Sequence, residues 1–161
     1  MNFFDSTCQE SPRCDELFGI CDDQNGKKAY TSVDDNSKWV ATVINKKKIE
    51  LIFTAIDACV ITGDQHPGRG RCDGMLTSHE HIFFVELKDK ASDWITDAID
   101  QLESTVQFFL EEHSLAQYRH KKAFACNKRR PHFQEIDQET QLKWFRSYGV
   151  RLDVQAEVIV I

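Results

Sequence analysis

The chain has 161 residues, enough for one domain with a substantial core. Its 41% hydrophobic and 29% charged residues are the composition of a globular protein, and no run of 18 apolar residues offers a membrane-spanning helix. A formal net charge of −6 argues against indiscriminate binding to nucleic acid, although basic clusters stand out at 45–48, 68–71, 118–122 and 127–130.

The first 36 residues are polar, rich in Asp and Glu, and broken by the turn signals "SPR" and "QNGKK"; they read as an irregular segment with a short helix over 13–20. "MNFFDSTCQESPRCDE" has neither the basic nor the apolar region of a secretory signal, so a cytoplasmic protein is expected. In that compartment all six cysteines should be reduced thiols, and no Cys-x-x-Cys pair suggests zinc. Cys59, Cys72 and Cys126 fall in apolar stretches, where a cysteine acts as a small hydrophobe.

"KWVATVIN" (38–45) and "IELIFTAIDACVIT" (49–62) are rich in β-branched and aromatic residues and predict two strands joined by a hairpin at "KKK"; a helix over 36–45 is the competing reading. "GDQHPGRG" (63–70) is a loop. "RCDGMLT" and "HIFFVELK" predict two more strands around a turn at Ser78–His81, which places the "HEH" of 79–81 in solvent. A helix over 92–113 follows, with Ser92 as N-cap and Trp94, Ala98, Leu102, Val106 and Phe109 on its core face. "KKAFACN" (121–127) is a strand, 131–147 a polar helix or loop, and "VRLDVQAEVIVI" (150–161) a final strand. The order predicts an α/β fold, a single domain over 1–161 with one mixed central sheet flanked by helices.

The hairpin at 71–88 raises a question of charge. A turn centred on Ser78–His81 sets Thr77 opposite Ile82, and therefore Asp73 opposite Glu86, with Cβ atoms about 4.5–5.5 Å apart. Side chains alternate, so Glu86 and Lys88 share a face while Leu87 points to the other layer. Two carboxylates so placed repel each other. A divalent cation removes that penalty, and Mg²⁺ binds through one or two carboxylates with water and phosphate oxygens completing its shell. A lysine beside it can act on a water or on charge developing at a phosphate. The simpler alternative is a Lys–carboxylate salt bridge at a sheet edge.

Asp73 on one strand and Glu86-Leu87-Lys88 on the next resemble the catalytic signature of the PD-(D/E)XK nuclease superfamily, over the span 50–127. Here Cys72 stands where the signature has proline. The resemblance implies a restriction-endonuclease-like fold and a divalent-metal-dependent nuclease using Mg²⁺ or Mn²⁺. Asp73, Glu86 and the backbone carbonyl of Leu87 would be metal ligands, and Lys88 the catalytic lysine. Gln101, at the edge of the helix's apolar stripe, is similar to a glutamine that lies near the site in some branches of the superfamily. Such enzymes often draw a further acid from an earlier element, and Glu50, Asp57 and Asp64 are candidates; Asp57 stands out because it interrupts an apolar run. The expected substrate is nucleic acid, DNA foremost, held through phosphate contacts by Arg69, Arg71, Lys90, Lys121, Lys122, Lys128, Arg129 and Arg130. So short a chain would rely on dimerisation or a partner protein for recognition. Two alternatives stay open: a catalytically silent nucleic-acid-binding member of the fold, and a protein-binding or immunity module working through its acidic N-terminal segment.

Overall fold

A computed structural model describes residues 1–63 and 65–161. It is an α/β domain of two mixed sheets and two helices. Among the described residues, nine strands run in chain order: β1 (Leu17–Cys21), β2 (Tyr30–Ser32), β3 (Trp39–Ile44), β4 (Ile52–Ala55), β5 (Gly74–Thr77), β6 (His81–Lys88), β7 (His120–Asn127), β8 (Arg151–Val154) and β9 (Glu157–Ile159). Helix α1 (Ile95–Glu112) joins β6 to β7, and α2 (Gln138–Tyr148) joins β7 to β8.

The larger sheet has the order β4-β5-β6-β7-β8, antiparallel from β4 to β6 and parallel from β6 to β8. Both parallel connections carry a helix, as parallel pairing requires of its crossovers. One core packs this sheet against the helices, with Met75, Ile82 and Phe84 meeting Ala98, Leu102, Val106, Phe109 and Trp144. A second core fills the space to the smaller sheet, where Phe53, Phe83, Val85, Leu87 and Phe124 meet Phe18, Ile20, Val43 and Val158. β6 therefore lies between two apolar layers and is buried at all eight positions, which is why "HIFFVELK" reads as a continuous apolar run.

The smaller sheet, of order β2-β1-β3-β9, corrects the expectation of one sheet. The segment 1–36 is not an irregular extension: β1 replaces the helix expected over 13–20, and β1 and β2 form half of this sheet. Strand β3 is formed as expected, but β3 and β4 make no hairpin. Asn45 is fully buried and takes up backbone groups at Asp15 and Ile49, while Lys48 adopts φ 52°; the chain thus leaves one sheet at β3 and enters the other at β4. The run 49–62 is a strand only over β4. The last strand is likewise split: β8 stays in the larger sheet and β9 crosses to pair in parallel with β3.

Helix α1 begins three residues later than expected. Asp93 takes φ 54°, a conformation tolerated better by Asp than by most residues, and Trp94 rather than Ser92 occupies the N-cap. In α2, Asp137 caps the first turn by accepting from the Thr140 amide, and Gly149 closes the last with φ 68°. Two cysteines are not free thiols: Cys8 and Cys59 form a disulfide, tying the N-terminal turn to the segment after β4. Cys14, Cys21, Cys72 and Cys126 are free. No helix among the described residues is long and apolar enough to cross a membrane.

Candidate active site

The expected hairpin register holds. Thr77 faces Ile82 and Gly74 faces Val85, so Asp73, one residue before β5, comes opposite Glu86. Leu87 belongs to the core between the sheets, and Glu86 and Lys88 therefore project toward α1. The Leu87 amide donates to Asp73 Oδ2 at 2.7 Å. A residue's amide and carbonyl leave a strand on the same side, so the Leu87 carbonyl also points toward Asp73, while the Lys88 carbonyl, on the opposite side, accepts from the Lys128 amide at 2.9 Å.

Glu86 is 3% exposed, and its two oxygens differ. Oε2 lies 3.2 Å from Lys88 Nζ, whereas Oε1 is buried and has no hydrogen-bond partner among the described residues. Lys88 Nζ donates also to Asp97 Oδ2 at 2.6 Å and to Gln101 Oε1 at 2.6 Å. Gln101 in turn donates from Nε2 to the Arg71 carbonyl at 3.4 Å, which links α1 to the loop before β5. The sequence placed Gln101 near the site but missed Asp97. The signal was available: the two are four residues apart on one helix and share a face.

Removal from water raises both acids of the pair. It pushes Asp73 up to about 7 against the opposing pull of the Leu87 amide, with the charge of Asp22 adding to the rise. Glu86 is raised well above its ordinary value, by burial first and by Asp73's charge second. For Lys88 burial works against the charge, but the bonds to Asp97 and Glu86 outweigh it and hold the amine above the usual lysine value. Lys88 therefore favours its charged form.

A cavity of about 350 Å³ opens over these groups, lined by Asp73, Glu86, Leu87, Lys88, Lys90 and Gln101 among others. Its opposite wall is the turn between β1 and β2, which contributes Asp22, Gln24, Gly26 and Lys27. Nothing in the sequence pointed to that wall, because it depends on the smaller sheet folding over the larger one. Asp57 also lines the cavity, but its carboxylate pairs with Arg71 Nε at 2.9 Å. Glu50 does not reach the site: it is exposed and precedes the Ile52 end of β4, which pairs with Thr77 at the far end of β5. Asp64 lies outside the described residues.

The basic residues divide. Lys128, Arg129 and Arg130 follow directly on Asn127, the partner of Lys88 in the sheet, and Arg129 pairs with Asp89 at 2.9 Å. Arg69 lies over the Phe108 ring at 3.5 Å and bonds to Glu111. Lys121 and Lys122 are at the wrong end: they pair with Ile82 and Phe83, four and three residues along β6 from Glu86, and Lys122 meets Asp153. The "HEH" tripeptide is not all in solvent. His81 starts β6, is 2% exposed, and bonds to Ser78 Oγ and the Ile161 carbonyl at 2.7 Å each.

Among the described residues, no three His, Cys, Asp or Glu side chains are grouped as a metal cage would need. The donor set is two carboxylates and a carbonyl beside open space. That suits a hard cation that completes its shell with water and substrate oxygens. No family model, curated protein or solved structure matches this chain.

Proposed function

We propose that the protein is a divalent-metal-dependent nuclease that hydrolyses phosphodiester bonds in nucleic acid, on a fold resembling restriction endonucleases. The observation that carries this is the buried carboxyl pair of Asp73 and Glu86, both raised by removal from water, in the wall of a polar cavity beside Lys88. A plain salt bridge needs one carboxylate for Lys88, whereas here a second buried acid, Asp73, stands against the first. Asp73, Glu86 and the Leu87 carbonyl would hold the cation, and Mg²⁺ or Mn²⁺ there would supply Lewis-acid polarisation of a phosphoryl oxygen.

The chain's own residues then divide the remaining work. Lys88 presents positive charge where negative charge builds on the phosphate. Asp97 and Gln101 fix its position, which matters because such stabilisation acts only when the donor is already in place. Its bonds to Asp97 and Glu86 favour the charged form that this role needs. Lys90 and Lys27 line the cavity mouth, and Lys128, Arg129 and Arg130 extend a basic rim on which a phosphate backbone can rest.

Incubation with linear and circular DNA and with RNA, in Mg²⁺, Mn²⁺ or EDTA, tests this reading. Cleavage should need the cation and should vanish in Glu86→Ala and Lys88→Ala. Asp97→Ala should cost less, because Asp97 is 60% exposed and its bond is weakened by water. Cleavage that persists in EDTA, or full activity of Lys88→Ala, would reject the assignment.

A further inference from the structure

The rim at Lys128 borders a second cavity, on the side of the molecule away from α1. It measures about 370 Å³, within the size range of small-ligand pockets. Trp39 of β3 forms one wall; the loop after β7 supplies Lys128, His132 and Phe133; the turn between β8 and β9 supplies Gln155, and the start of β9 Glu157. Both loops are tied down: Ala156 donates to the Pro131 carbonyl at 3.0 Å, Thr42 to the Ala156 carbonyl at 2.8 Å, and Gln134 to the Val154 carbonyl at 2.9 Å. The walls are thus formed before anything binds. Phe133 is 59% exposed, an aromatic ring held out in water by a well-anchored loop. Trp39 packs against Gly19, where any Cβ would run into the indole, and its ring nitrogen has no hydrogen-bond partner among the described residues.

Resting on the nuclease reading, we propose that this cavity receives an unpaired nucleobase of a single-stranded nucleic acid, stacked on Phe133, with an adjoining phosphate on Lys128. Three features select that occupant. The cavity is lined by the aromatic residues Trp39, His132 and Phe133, of which Phe133 is the exposed ring, and base–aromatic stacking is indifferent to sequence. Lys128, followed by Arg129 and Arg130, gives the cavity edge the sign a phosphate backbone requires. Gln155 and Glu157 can meet the polar edge of a base, which an aliphatic side chain would leave unused. Lys128 is also the link to the first cavity, since its amide is bonded to the carbonyl of Lys88. A strand that leaves its base here is thereby held at the same end of β6 and β7 as the carboxylate pair. A base held in a duplex cannot enter such a pocket, so the substrate class is single strands, flaps or frayed ends.

Fluorescence anisotropy with a labelled oligothymidylate in EDTA measures binding without cleavage. Oligouridylate and a blunt duplex form the other arms. Phe133→Ala should weaken single-strand binding roughly 5- to 100-fold, the worth of one stacked base, while Phe133→Tyr keeps it. Duplex binding should not change in either variant. Because Phe133 is exposed, the variants should melt with the wild type, and a melting curve on each checks this. Single-strand affinity unaffected by Phe133→Ala, an equal loss on the duplex, or no single-strand binding by the wild type would each overturn the proposal. The two readings separate cleanly. Metal-dependent cleavage with unchanged binding in Phe133→Ala removes the pocket alone; Phe133-dependent binding without any cleavage removes the nuclease alone.

Discussion

At the scale of single residues, the site holds its charges at a cost. Asp73 and Glu86 both keep a proton to higher pH in the native protein than in the unfolded chain, where such carboxyls titrate near 4. Between those values the native state binds more protons than the unfolded state, so stability falls as pH rises. For the metal-free protein the melting temperature should therefore drop between about pH 4 and pH 8. Asp73→Asn, which keeps an oxygen for the Leu87 amide, should flatten that slope and melt higher than the wild type at pH 8. Equal slopes in the two proteins, measured by calorimetry across that range, would mean the pair is ionised and unstrained. Asp73, Glu86 and Lys88 were legible in the sequence because strand alternation and a short turn fix where each side chain points. Asp22 was not, since its place over the cavity depends on a sheet contact between parts of the chain far apart.

At the scale of elements, the β5–β6 hairpin fixes the site. A slip of β6 by one residue would carry Glu86 and Lys88 into the apolar layer between the sheets and turn Leu87 toward the charged site, which holds the register. Gly74, directly after Asp73, has a particular place in it. A Cβ there would lie 2.4 Å from the Phe53 ring of β4. Gly74→Ala should cost about 1–3 kcal/mol, the usual penalty for overpacking, and should weaken metal binding by shifting Asp73. A variant as stable as the wild type to urea would show that the Phe53 ring moves freely. The hairpin was readable because its information is local. The link from β3 to β4 was misread because "KKK" between two apolar runs looks like a hairpin, whereas the buried Asn45 turns the chain into another sheet.

At the scale of the whole molecule, the smaller sheet is what converts an edge of the larger one into a cavity. Its contribution was hidden because β1, β2 and β9 are short and pair over long separations, with β9 reaching back to β3 from the chain's end. The Cys8–Cys59 disulfide, 51 residues apart, closes a loop that contains most of that sheet. The expectation of reduced thiols follows from compartment alone, and no spacing rule pairs two cysteines brought together only by the fold. Replacing both with serine should lower stability by about 2–4 kcal/mol under oxidising conditions and leave the reduced protein little changed. Denaturant titrations with and without reductant would reveal it, and identical curves for the two proteins would place no weight on the bond.

Cation binding by the buried pair Asp73 and Glu86 is what the nuclease proposal requires first. Calorimetric titration of the metal-free protein with Mn²⁺ measures this directly. One equivalent should bind to the wild type at neutral pH, with release of protons from the raised pair, and binding should be lost in Glu86→Gln and Asp73→Asn. Binding of equal stoichiometry and affinity in all three proteins, or none in the wild type even with a nucleotide phosphate present, would contradict it.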